Sequence, residues 1–115
     1  MQGVKEILEE IETAMDDKPS YAEGVNAVFQ FDLSGDEAGT YQVGLSDEGE
    51  NFIAEGEKEK ADCVLQMDSG DFIKMANGEL NGTQAFMTGK LKIKGNMGLA
   101  LKLQSILAAY NKEKN

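Results

Sequence analysis

One stretch limits the possible folds more than any other. Ala85-Phe86-Met87-Thr88 reads as the end of a helix and Gly89 as its stop. Lys90-Leu91-Lys92-Ile93-Lys94 is a strand with all its charge on one face, closed by Gly95. Asn96 then caps an apolar helix beginning Met97-Gly98-Leu99-Ala100. A strand that alternates lysine with Leu91 and Ile93 has one face to bury, because successive side chains point to opposite sides. With helices immediately before and after it, that face is best buried in a sheet backed by helices.

The rest of the chain supplies the other strands and helices. Val4, Ile7, Leu8, Ile11 and Met15 share one face of an amphipathic helix, with Glu6, Glu9, Glu10 and Glu12 opposite. Asp16-Asp17-Lys18-Pro19 ends it, since proline disfavours a helical residue before it. Ser20-Tyr21-Ala22-Glu23 reads as a capping box for a short further turn. Ala27, Phe29, Phe31 and Leu33 alternate with more polar residues and predict a strand. Tyr41, Val43 and Leu45 do the same for a second. Asp47-Glu48-Gly49 turns into a third around Asn51–Glu55. Gly56-Glu57-Lys58-Glu59-Lys60 is a charged connection, and Cys63, Leu65 and Met67 mark the inward face of a fourth strand. Asp68 or Ser69 then caps a helix with Phe72, Ile73, Met75 and Ala76, which Gly78 stops. Asn81, three residues before Gln84, opens the helix that Gly89 ends. The predicted order is helix, three strands, a crossing connection, strand, two helices, strand, helix, an α+β domain. At 115 residues we expect one domain over 1–115.

Composition removes several functions. There is no histidine and one cysteine, Cys63, so the commonest general base and the commonest metal ligand are missing. No cofactor or metal is expected. A buried structural thiol is the reading for Cys63. The carboxylates near the apolar half, Asp68, Asp71 and Glu79, fit helix ends better than a catalytic site, and the chain is expected not to be an enzyme. The net charge of −10 argues against nucleic acid. That charge is uneven: residues 80–115 carry six lysines and one acid. The single cysteine and the absence of a secretory leader or an apolar span predict a cytoplasmic protein.

The second half resembles the sterol carrier protein type 2 family. The residues that carry the resemblance are Ala61-Asp62-Cys63-Val64, Asp68-Ser69-Gly70-Asp71-Phe72 and Gly78-Glu79-Leu80-Asn81, followed by Ala85 through Asn96 and Met97 through Gln104. The resemblance implies a five-stranded, mostly antiparallel sheet backed by helices and enclosing a hydrophobic tunnel. It also implies a carrier that binds fatty acid, fatty acyl-CoA, phospholipid or sterol without turning it over. On that reading Phe72, Met75, Phe86, Met87, Met97, Leu101 and Ile106 are candidates to line the tunnel. Methionine suits a surface that accepts several chain shapes. Lys90, Lys92, Lys94 and Lys102 are candidates for an anionic headgroup or a membrane surface; the competing role for the strand lysines is to discourage edge-to-edge pairing. A second function is also open, that of an accessory module docking on an enzyme of lipid metabolism.

Two mechanical expectations follow. An empty 400 Å³ tunnel would cost roughly 10 kcal/mol at about 24 cal/mol per Å³, so such a tunnel should collapse partly, take in water or hold lipid. Access to a closed tunnel needs a moving part. The terminal helix, hinged between Gly95 and Gly98, is the candidate.

Overall fold

Alternation decides which side of the sheet is dry. The computed structural model describes residues 3–17, 24–46 and 51–114. It runs α1 (Val4–Asp17), β1 (Ala27–Ser34), β2 (Gly39–Leu45), β3 (Phe52–Glu55), β4 (Cys63–Asp68), α2 (Ser69–Ala76), α3 (Gly82–Met87), β5 (Leu91–Gly95) and α4 (Met97–Lys114). This is the order the sequence predicts. The expected turns at Ser20–Glu23 and Asp47–Gly49 lie outside the described residues.

The five strands form one sheet in the order β3-β2-β1-β4-β5. The β1–β2, β2–β3 and β4–β5 pairs are antiparallel, while β1 and β4 run parallel, so the sheet is mixed. A parallel pair cannot be closed by a hairpin. After β3 the chain must therefore travel back across the sheet to reach the far side of β1.

In register, Val43, Phe29, Cys63 and Gly95 lie side by side across four strands, and Tyr41, Phe31, Leu65 and Ile93 form the next row. These rows face the helices. Phe29 and Cys63 are fully buried there, with Leu65, Val43 and Phe31 close behind. Val4, Ile7, Leu8, Ile11 and Met15 of α1 join the same core, as the helical spacing requires.

The other face carries Gln30, Gln42, Gln66, Lys92 and Lys94, and the returning connection crosses it. Gln42 is wholly buried beneath that connection. Its Nε2 donates to the Glu59 carbonyl at 2.7 Å and to Gln30 Oε1 at 3.0 Å. Its Oε1 accepts from the backbone N–H of Lys58 and of Glu59, both at 3.0 Å. Gly44 lacks a side chain where the Phe52 ring lies, since a Cβ there would run into that ring. The Lys58 ammonium sits 4.5 Å above that ring. The charged connection is thus held down at its middle.

Helix ends follow their local chemistry. The Asp68 side chain accepts from Gly70 N at 2.8 Å, and Asn81 accepts from Thr83 N and Gln84 N. Gly78 and Gly89 leave α2 and α3 with φ of 81° and 83°, conformations that favour glycine.

Candidate functional site

The sheet supplies the floor of an apolar cavity of about 180 Å³. Leu65 of β4 and Leu91 and Ile93 of β5 form that floor. One wall is α3, through Gly82, Thr83 and Phe86; the other is α4, through Met97, Ala100, Leu101, Leu103, Gln104 and Leu107. Met75 of α2 closes one end. Asn81 sets the start of α3 and Gly89 its end, so Phe86 falls on the last turn, above the cavity.

Among the described residues the lining contains no ionisable side chain. Thr83 and Gln104 are its polar side chains, and the Thr83 hydroxyl donates to Gln104 Oε1 at 3.1 Å, joining α3 to α4. Asp68, Asp71 and Glu79 lie outside the lining. Among the described residues no group of three or more His, Cys, Asp or Glu could hold a metal ion. Cys63 is buried without exposed surface; burial first, and then the nearby Asp62, push its thiol upward, away from the reactive thiolate.

The cavity opens beneath an apolar rim. Phe86, Met97 and Leu101 line it and are also 42%, 44% and 62% exposed. α4 therefore has two characters. Leu103, Ile106 and Leu107 are buried, whereas Met97 and Leu101 face the opening, which is why its apolar residues cover more than one stripe.

Four of the seven apolar candidates are brought together: Met75, Phe86, Met97 and Leu101. Phe72 lies instead in the sealed core, its ring 5.0 Å from that of Phe31 and tilted by 60°. Ile106 is buried outside the lining, and Met87, the most exposed at 78%, sits beside the rim without lining the cavity. None of Lys90, Lys92, Lys94 and Lys102 lines it. Lys92 pairs with Gln66 and Lys94 with Val64, so these two belong to the outer face of edge strand β5. The floor residues Leu65, Leu91 and Ile93 were legible as inward strand positions. Gln104 stands in the sequence as the last residue of the family-like stretch, with no pattern that marks it as part of a cavity wall.

Gly95 takes a role different from a hinge. It closes the β4–β5 ladder opposite Cys63, and a Cβ there would stand 2.7 Å from the Asp62 carbonyl. The end of α4 is also anchored: Asn111 Nδ2 donates to the Ala76 carbonyl at 2.7 Å. Truncation after Gln104 would remove Ile106 and Leu107 from the core, so it would test folding rather than a lid.

Comparison with known proteins places this geometry in a family. A model described as the SCP-2 sterol transfer family matches residues 5–108. Over 85 residues the chain is 54% identical to the Xenopus tropicalis hydroxysteroid dehydrogenase-like protein 2, covering 73% of this chain and 20% of that protein. It spans about a fifth of the length of the curated relatives it matches. Among solved structures, sterol carrier protein domain 2 of Helicoverpa armigera matches with a TM-score of 0.76 at 29% identity, over 91% of this chain and 85% of that one. Palmitated SCP2L2 from Aedes aegypti shares the fold, with a TM-score of 0.73 at 22% identity over 92% and 95% of the two chains. No helix of the described residues is long and apolar enough to cross a membrane.

Proposed function

We propose, for a chain that belongs to the SCP-2 sterol transfer family, that it is a non-enzymatic carrier holding one acyl chain or similar apolar ligand between α3, α4 and the β4–β5 floor. The observation that carries this reading is a cavity without ionisable groups that opens at Phe86, Met97 and Leu101. Burial of each CH₂ stabilises a complex by roughly 0.8 kcal/mol, which suits a site that offers shape rather than charge. Met75, Phe86, Met97 and Leu101 contact the ligand, Met87 borders its path, and Phe72 and Ile106 support the walls from behind. The palmitated Aedes aegypti relative supports fatty acid as the first ligand to try.

The exposed rim has a second use in the same cycle. The apolar side chains at the opening belong to a stretch, residues 80–112, that carries five lysines and no acid. Such a surface suits brief contact with an anionic bilayer while the ligand crosses, and a lysine that reaches the bilayer around the edge of β5 contributes about 1 kcal/mol. Replacing Lys90, Lys92 and Lys94 by glutamine should weaken binding to anionic vesicles; unchanged binding and transfer would assign those lysines to edge protection alone.

Native mass spectrometry of protein purified without detergent, followed by organic extraction, tests the carrier reading. A discrete added mass extracting as fatty acid, acyl-CoA or phospholipid is the expected result. A clean apo mass with no uptake of added fatty acid would sink it. The length of the dehydrogenase-like relatives favours one alternative, a module that presents lipid to an enzyme or docks on it. A stable partner in pull-down together with no bound lipid would support that alternative.

A further inference from the structure

Beside the cavity lies a second hollow of about 300 Å³, between the start of α3 and the second half of α4, bordered by Gly78, Leu80, Asn81 and Ala108. Met75, Gly82, Gln104 and Leu107 line both spaces. The partition between them is thin. Gly82 contributes no side chain to it, and a Cβ there would stand 3.1 Å from Gln104 Oε1 and 3.5 Å from Met75 Sδ. Met75 and Gln104 are long, unbranched and rotatable. Gln104 is held across the gap by its bond from the Thr83 hydroxyl at 3.1 Å.

We propose that the Thr83–Gln104 pair is a gate that sets the length of chain the protein accepts. This inference rests on the carrier reading. With the bond made, the cavity alone is available, and its 180 Å³ lies below the roughly 300–1,000 Å³ of small-ligand sites. With Gln104 swung aside past Gly82, the cavity and the hollow become one passage within that range. At roughly 30 Å³ for a group the size of a water molecule, the cavity takes about six methylenes, and the hollow gives a longer chain somewhere to continue. A short chain therefore binds in front of the gate, and a long one must displace Gln104 from Thr83. The hollow beyond the gate is partly open, with Gly78, Asn81 and Ala108 exposed, so each methylene that passes raises affinity by at most about four-fold, while breaking one hydrogen bond lowers it by about two- to ten-fold. Long chains overcome the gate, at a constant penalty that short chains do not meet.

The test is calorimetric titration of the full chain with octanoate and hexadecanoate, for wild type, Thr83→Val and Gln104→Ala. Thr83→Val keeps the side-chain shape and removes the hydroxyl, so it still informs should Gln104→Ala fail to fold. The expected result is a two- to ten-fold rise in the ratio of hexadecanoate to octanoate affinity in Thr83→Val, with a rise of the same sign in Gln104→Ala. A ratio unchanged in Thr83→Val, with both acids binding wild type, would overturn the gate and leave the carrier reading intact. Failure of wild type to bind either acid would overturn both.

Discussion

Gln42 shows how one polar side chain can organise a whole connection. It is buried, and its side chain bonds to the chain above it and to its strand neighbour Gln30. Gln42→Leu keeps the approximate volume but strands the N–H groups of Lys58 and Glu59. A stranded buried polar group costs about 1–3 kcal/mol, so thermal melts should show a loss of about 2–4 kcal/mol. Glu12 gives a residue-level prediction with a pH sign. Burial first, and then Asp16 and Glu9, raise its carboxyl above the ordinary value of 4.5. The folded protein thus holds that proton more tightly than the unfolded chain does. The resulting stabilisation is complete below the unfolded value and is lost as pH rises through the folded one. Glu12→Gln should accordingly raise the melting temperature at pH 7, and the gain should vanish below about pH 4.

At the scale of elements, α3 and α4 divide the labour of the site. The rim residues lie on the side of α4 that packing leaves open, so changing them should alter uptake more than stability. Leu101→Glu places a charge at a position already 62% exposed. It should leave the melting temperature within about the shift that a 0.5 kcal/mol surface change produces, while fatty acid uptake falls several-fold; equal uptake would remove Leu101 from the path. Much of this architecture was legible beforehand. Alternation placed Leu65, Leu91 and Ile93 inward, and the same alternation placed Lys92 and Lys94 on the far side of β5, away from the cavity. The caps Asp68 and Asn81 and the stops Gly78 and Gly89 follow from backbone chemistry alone. What periodicity could not separate was Phe72 from Met75. They lie three residues apart on one face of α2, and only the tilt of that helix over β1 and β4 puts one ring against Phe31 and the other side chain at the cavity. The Thr83–Gln104 contact joins residues 21 apart and depends on how two helices meet, which no local pattern encodes.

For the molecule as a whole, ligand and stability are linked. Kept dry, the 180 Å³ cavity costs at most about 4 kcal/mol at the coefficient measured for closed core cavities, against the roughly 5–15 kcal/mol that holds a domain folded. Fatty acid at a hundred times its dissociation constant should add about 2.7 kcal/mol, read as a raised melting temperature in differential scanning calorimetry. An unchanged melting temperature at saturating ligand would separate binding from the native state. The clasp over the outer face has its own consequence for how unevenly the protein loosens. A charged loop joining two strands would ordinarily trade its amide hydrogens with solvent in seconds. Here the amides of Lys58 and Glu59 are tied to Gln42 and should keep their hydrogens nearly as long as the strands beneath. The amides of α3, resting on an opening, should exchange early, so deuterium would enter this protein through the side that receives its cargo.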